Sequence, residues 1–328
     1  VTEPRLDVLA IGDAIVDVIA SAEEAFLVEE KLVKGSMRLI DADEAKRLYA
    51  HMGQARETSG GSAANTMAGI AAMGGRAGFV GQVAKDQLGE IFTHDIRALG
   101  VEYRTAPLAV DIPTGRCLIL VTPDGQRTMN TFAGASHCLA ASALDADQIR
   151  SAAILYLEAY LWVPDGPRRA MLDAIAIAHE AGRKVALTLS DIACIDKRRD
   201  SFLELIAGGS VDLLFANEQE MKSLSGEEDF DAALATFAGD VRQIVVTCSE
   251  KGAIAVEQGR RVEVAAAPVE KVVDTTGAGD LFAAGFLFGQ AQGRSVEASL
   301  RLGSLAAAEI ISHFGARPEA DLKALAAA

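Results

Sequence analysis

The chain has 328 residues, half of them hydrophobic, with 46 acidic against 31 basic side chains and a net charge of -15. That length and apolar content suffice for one large α/β domain or for a domain with a smaller appendage, and the negative charge disfavours a polyanion such as DNA or an anionic membrane as partner. Four cysteines, Cys117, Cys138, Cys194 and Cys248, stand far apart without a C-x-x-C pair, which argues against a zinc site and a disulfide framework. No cationic segment followed by an apolar one opens the chain and no run of about 18 apolar residues occurs, so a cytoplasmic protein is expected.

Taken in order, "LDVLAIGDAIVDVIA" reads as a buried strand from Leu6 to Ile11, broken at Gly12-Asp13 and continuing as apolar alternation. A strand follows at Met37 to Ile40, then Asp41 as N-cap with Glu44 three residues on, a capping-box pattern. "ETSGGSAANTMAGIAAMGG" is a glycine-rich entry into a helix that ends at Gly74-Gly75, with Ser62 as a candidate N-cap and Asn65 in the first turn. From Pro107 to Phe132 the texture becomes antiparallel, with Pro123-Asp124-Gly125 as a hairpin turn. Beyond residue 150 strands and helices alternate, which implies right-handed βαβ units and a parallel sheet covered on both faces. Ligands of such sheets sit beyond the carboxyl ends of the strands, which makes Glu158, Ser190, Asn217 and Thr247 candidates by position.

"VVDTTGAGDLFAAGF" (272–286) sets small residues at Gly277, Ala278 and Gly279 before an apolar helix, with an acid, Asp280, directly after. Backbone N–H groups at a helix N-terminus attract an anion; the alternative is a tight turn with close helix–strand packing. A Walker A loop is excluded because the dipeptide Gly-Lys does not occur, and the dinucleotide fingerprint fails because Phe282 stands where its third glycine belongs. An anion cradle with a carboxylate at its edge is the arrangement needed when a base deprotonates a hydroxyl during phosphoryl transfer.

Two segments carry a family resemblance. "DTTGAGDLFAAGFL" (274–287) resembles the C-terminal signature of the ribokinase-like, or PfkB, family of carbohydrate and nucleoside kinases, and "GGSAANTMAGIAAMGG" (60–75) resembles its N-terminal signature. The resemblance spans nearly the whole chain. It implies a ribokinase-like three-layer α/β/α core with a mainly parallel sheet plus a small β-sheet lid, in one unit over 1–328, the lid built from about 14–58 and 104–134. It further implies transfer from Mg-ATP with Asp280 as base and the backbone of Gly277, Ala278, Gly279 and Asp280 as anion hole.

Within the family, sugar kinases of the ribokinase type usually carry G-G-K-G-A-N, whereas Ser62 stands at that lysine here. Adenosine kinases are more similar: "GDAIVD", "PTGRC", "VDLLFANEQE", "LTLS" and "FGARPE" resemble their text. The resemblance therefore implies phosphorylation of the 5′-hydroxyl of adenosine, with a sugar kinase of the same family or a non-catalytic nucleotide-binding regulator as alternatives. The implied acceptor contacts are Asp13, Asp17, Gly61, Ser62 and Asn65, with Arg127 closing over the phosphates from the lid hairpin. Met129, Phe132, Tyr160 and Trp162 are candidates for an apolar slot for a base, with ordinary core packing the alternative for each aromatic. Asn217 and Glu220 form the N-x-x-E pattern that the family uses for Mg2+ through water, and outside that context the same spacing is a helix start. Thr247, Ser249 and Gly252 resemble the strand-turn against the ATP ribose, with Ser249 in place of a glycine. A monovalent cation such as K+ would lie near Asp274 and Thr276. His313 is expected to pack or cap. The partners expected are small molecules only, and the assembly a monomer or homodimer.

Overall fold

The computed structural model describes residues 4–327. Fourteen strands form two sheets among the described residues: β1 Leu6–Ile11, β2 Ile15–Ser21, β3 Met37–Leu39, β4 Ala55–Gly60, β5 Ala77–Val80, β6 Glu102–Tyr103, β7 Thr114–Val121, β8 Arg127–Gly134, β9 Ala152–Glu158, β10 Lys184–Thr188, β11 Leu213–Asn217, β12 Gln243–Thr247, β13 Ala253–Glu257 and β14 Arg260–Val264. The larger sheet runs β14-β13-β12-β11-β10-β9-β1-β5-β6. From β12 to β6 every pairing is parallel.

Alternation along these strands feeds two cores, because successive side chains of a strand point to opposite faces. Ile154 and Tyr156 of β9 join a cluster with Leu281, Phe286 and Met67 from the helices Ala278–Ala291 and Ser62–Ala72. Leu155 and Leu157 of the same strand join Ala174, Phe202 and Phe237 from helices on the other side. Both faces are thus covered, and the fold is a mixture of a large, mostly parallel sheet, a smaller second sheet and helices on both sides.

The smaller sheet has the order β3-β8-β7-β2-β4. Its strands come from both sides of the first βα unit, so it forms only by long-range pairing, as in Asp17 opposite Thr58 on one side and Cys117 on the other. One face, with Val16, Val18, Leu118 and Leu120, packs with Leu27 and Leu48 of the flanking helices. The opposite face gathers Ile15, Cys117 and Ile119 with Ile19, Val121 and Met129 packed against them. Asp17 lies between Ile15 and Ile19 at the alternating positions and so shares that second face.

Local chemistry matches the sequence reading at most turns and departs from it at three. The hairpin turn places Gly125 at φ 83°. At Asp41 only half of the capping box forms: Asp41 accepts from the Glu44 N–H at 2.8 Å, while the Glu44 carboxylate turns to Arg38 at 2.6 Å. The helix expected from Ser62 has Gly61, not a polar side chain, at its N-cap. An antiparallel hairpin, β13–β14, extends the parallel sheet at one edge; its turn residues Gln258 and Gly259 both have positive φ, 50° and 78°, the pattern of the turns that match strand twist. No described helix is long and apolar enough to cross a membrane.

Candidate active site

The N-termini of two helices meet at the carboxyl end of the large sheet. Gly61 starts the first at φ 99°, and a Cβ there would stand 2.1 Å from the Asp13 carbonyl oxygen; a Cβ at Gly60 would stand 2.4 Å from Asp17. These close approaches, which only glycine permits, bring Ser62 and Asn65 against the second helix. The Ser62 hydroxyl donates to Asp280 Oδ1 at 2.6 Å and Asn65 Nδ2 donates to Oδ2 at 2.9 Å. Burial raises the Asp280 pKa above the ordinary carboxylate value, opposed by those two hydrogen bonds and by the nearby Arg317 charge. The result is an oriented carboxylate that takes a proton more readily than an exposed aspartate.

Asp17 faces the same space from the smaller sheet. Burial pushes its pKa up to about 6, against the pull of Arg317 and Arg127, with Asp280 adding a further upward push. Asp13 is held differently: its N–H donates to Glu158 at 2.6 Å, and its carboxylate accepts from the Ser136 hydroxyl at 2.7 Å. Glu158 also accepts the Ala63 N–H at 2.7 Å and is fully buried. Burial, then the neighbouring Asp13 charge, raises its pKa well above the ordinary value. Glu158 therefore staples the turn after β1 to the start of the Ser62 helix; sequence position had made it a candidate, without this role.

Arg127 reaches from β8 to Asp274 at 2.6 Å, both side chains being more than nine-tenths buried, and its guanidinium lies 5.8 Å from the Phe314 ring centre. This ties the β7–β8 hairpin to the loop before Gly277. Asp274 also accepts from the Thr276 N–H and hydroxyl at 3.0 and 2.8 Å and from the Gly315 N–H at 2.9 Å. Two hydrogen-bond donors thus occupy each carboxylate oxygen, so in this arrangement Asp274 does not fit the monovalent-cation site expected of it. Beside Arg127 and Phe314 a cavity of about 450 Å³ opens against Ile19, Ala55 and Val121.

The two glycines of the 277–279 loop are small for different reasons. Gly277 has φ 79°, and a Cβ there would press to 3.0 Å on Ala316; a Cβ at Gly279 would meet no atom of the protein within 4 Å. Packing therefore demands Gly277, while nothing in the fold demands Gly279. The Ala278 N–H donates to the Thr275 carbonyl at 3.2 Å, so one amide of the expected anion hole is engaged in the turn. Gly279 and Asp280 lie in the first helical turn, where backbone N–H groups have no partner within the helix.

On the other side of the crevice, Asn217 and Glu220 form a complete capping box. Glu220 accepts from the Asn217 N–H at 3.0 Å and its Nδ2 at 2.8 Å, and returns its own N–H to Asn217 Oδ1 at 2.8 Å. Burial lifts the Glu220 carboxyl to about 7. These oxygen donors fit a hard cation held through its own water, whereas direct ligation would dismantle the box. Thr247 ends β12 between Asn217 and Ala253. Ser249 has φ 51°, the left-handed region that suits the glycine of the resembled motif. Gly252, at φ 110°, would drive a Cβ to 2.0 Å from the Val264 carbonyl.

The aromatic candidates separate. Trp162 is fully buried, donates to Ser201 Oγ at 3.0 Å and stacks on Phe202, so it belongs to the core and not to a ligand slot. Tyr160 packs against the same cluster, and Phe132 is packed against the other. Met129 lies on the face of the smaller sheet that carries Asp17. His313 pairs with Glu309 at 3.0 Å, a local contact on its own segment. Sequence reasoning missed Arg317, whose guanidinium donates to Asn65 Oδ1 and Ser59; only its place in "FGARPE" marked it.

Comparison with known proteins gives the family. The family described as pfkB family carbohydrate kinase matches residues 6–322. Among solved structures, the chain is 50% identical to adenosine kinase from Sinorhizobium meliloti, with a TM-score of 0.92 over 98% of this chain and 99% of that one. It is 48% identical to a probable sugar kinase from Rhizobium etli, also at a TM-score of 0.92, over 99% and 98% of the two chains. An uncharacterized sugar kinase from Archaeoglobus fulgidus is 28% identical over 76% of this chain and 96% of its own. With a family match from the first strand of the sheet to the last described helix, the chain belongs to the PfkB family of carbohydrate kinases.

Proposed function

We propose that this PfkB-family kinase transfers the γ-phosphoryl group of ATP to the 5′-hydroxyl of adenosine, giving AMP and ADP. The observation that carries the reading is the Asp280 carboxylate, fixed by Ser62 and Asn65 at a helix N-terminus and raised in basicity by burial. The acceptor oxygen attacks the γ-phosphorus, its proton passes to Asp280, and the bond from that phosphorus to the β–γ bridging oxygen breaks. The amides of Gly279 and Asp280 face charge on the transferring group, and the open space at Gly279 suits close approach of a phosphoryl oxygen. Ala278 joins them once its turn contact with Thr275 is released.

Asp17 accepts from ribose hydroxyls, with Gly61 and Asn65 beneath the sugar. Asp13, engaged by Ser136, shapes the floor of that pocket. Arg127 turns from Asp274 to the phosphates when both substrates are present. The nucleotide lies along Thr247, Ser249 and Gly252. Asn217 and Glu220 would hold, through its waters, an Mg2+ bound with ATP, which would neutralise phosphate charge.

Two features favour a nucleoside over a free sugar. Ser62, a neutral donor, occupies the position of the ribokinase-type lysine. Beyond Asp17 on the same lid face, the cavity at Ile19, Val121 and Phe314 offers apolar walls and a volume in the range of small-molecule sites. The second reading, a sugar kinase, is favoured by the likeness to the probable sugar kinase of Rhizobium etli. ADP release with ATP, Mg2+ and a panel of adenosine, inosine, ribose, fructose and fructose 6-phosphate separates them. Adenosine turnover far above the sugars is expected, and the reverse order rejects the nucleoside reading.

A further inference from the structure

We propose that Arg317 is a positioning residue of the transfer reaction: it fixes the Asn65 amide with its donor end towards Asp280 and supplies a positive charge facing both Asp17 and Asp280. The inference rests on the reading of Asp280 as the base.

An asparagine amide can sit either way round, with its oxygen and nitrogen exchanged. Arg317 Nη1 donates to Asn65 Oδ1, and Nδ2 then points at Asp280 Oδ2, 2.9 Å away. Reversed, the amide would set donor against donor at Arg317 and acceptor against carboxylate at Asp280. The guanidinium thus selects the orientation that gives Asp280 its second hydrogen bond. Its other arm, Nη2, donates to the Ser59 carbonyl at 2.5 Å and to Ser59 Oγ at 2.9 Å, and Asp95 grips the same serine at its N–H and hydroxyl, 2.8 and 2.5 Å.

The loop that delivers Arg317 is held on both flanks. Gly315 N–H donates to Asp274 at 2.9 Å, and the N–H groups of Glu319 and Ala320 both donate to Glu309 Oε1 at 2.8 Å. A group presented from such a support keeps its geometry through the reaction. Its Nε, buried without a partner among the described residues, is a cost that the fold bears to hold the group here.

The charge balance points the same way. Asp17 on the lid, Asp95 on the helix Gln87–Ala98 and Asp280 all act on the Arg317 guanidinium. Arg127 also faces Asp17 but pairs with Asp274. Glu158, Tyr156 and Tyr160 from the sheet side feel the Asp280 charge, and Asp13 faces Glu158. Ser62 and Asn65 are neutral. Removing Arg317 therefore leaves acids facing Asp280 without the cation that offsets them.

The test is a 13C titration of the aspartate carboxylates in wild type, Arg317→Met and Arg317→Lys, with the Asp280 signal assigned by its loss in Asp280→Asn, beside the pH profile of kcat with adenosine. Arg317→Met is expected to move the Asp280 titration and the acidic limb of kcat upward by about one pH unit, in the range for removing an opposite charge. Arg317→Lys, which keeps the charge without the fork, should hold the titration near wild type while kcat still falls about tenfold, with KM changed much less. A lower melting temperature in both variants with an unmoved Asp280 titration and pH profile would overturn the proposal. If Asp280→Asn keeps wild-type turnover, the reading of Asp280 as base fails instead, and the titration still reports on Arg317.

Discussion

The two ends of the crevice are built in different ways. At the acceptor end, Asp280 is held by Ser62 and Asn65, residues 218 and 215 positions away, and Arg317 comes to Asn65 across 252 positions. At the nucleotide end, Asn217 and Glu220 close a box over three positions, and Ser249 and Gly252 shape one tight turn. The first end is a product of tertiary packing around carboxylates with raised pKa values; the second consists of local motifs that would form in many folds. Changes at the proposed acceptor end should therefore act chiefly on catalysis and pH dependence, and changes at the proposed nucleotide end on stability as well as on nucleotide binding.

The largest expected effect lies at the acceptor end. Asp280→Asn keeps the shape and one accepting oxygen, towards Asn65, while its NH2 donates to the Ser62 hydroxyl in place of accepting from it; the base is removed, so kcat should fall about 100-fold or more while acceptor binding changes little. Steady-state kinetics with a parallel binding titration checks this; equal losses in affinity and turnover would assign Asp280 to binding.

Asp17 should show up in affinity. With its carboxyl pushed up to about 6, it is ionised at neutral pH and becomes protonated below that value, losing acceptor capacity for ribose hydroxyls. Acceptor affinity is expected to weaken as pH falls through about 6, and Asp17→Asn to weaken it about tenfold at pH 7.5 and to flatten the pH dependence. Calorimetric titration between pH 5 and 8 reads both.

At the nucleotide end, Glu220 carries a stability effect of opposite use. Its folded-state pKa is raised from the ordinary value to about 7, so the folded protein binds that proton more tightly than the unfolded chain. The corresponding stability is present in full below about pH 4.5 and is lost as pH rises through about 7. Denaturant melts at several pH values should show wild type losing stability relative to Glu220→Gln across that window; a constant difference contradicts the assignment. The smallest effect belongs to Ser249→Gly, which relieves a left-handed serine and should stabilise the fold by about 1 kcal/mol, measured as a shift in unfolding midpoint.

What the sequence disclosed follows the same division. Strand and helix alternation was legible because each strand buries both faces and each helix one, a periodicity written in the apolar residues themselves. The β13–β14 hairpin was not, since Gln258-Gly259 is a weaker turn signal than Asn-Gly. The glycines of the two signatures were legible because close backbone approach leaves no other choice at Gly61 and Gly277. Arg317 was not, because its partners Ser59 and Asn65 are neighbours only in three dimensions. Trp162 was left open between a ligand slot and the core for a related reason: an aromatic near a strand end looks the same in sequence whether it lines a crevice or, as here, stacks on Phe202 in the core.

The central claim is that a nucleoside hydroxyl is the acceptor poised beside Asp280. The direct measurement is kcat/KM for adenosine against ribose and fructose with Mg-ATP, each in wild type and Asp280→Asn. The account predicts at least a hundredfold preference for adenosine that vanishes together with turnover in the variant. Ribose or fructose as the better substrate, or adenosine turnover unchanged in Asp280→Asn, would contradict it.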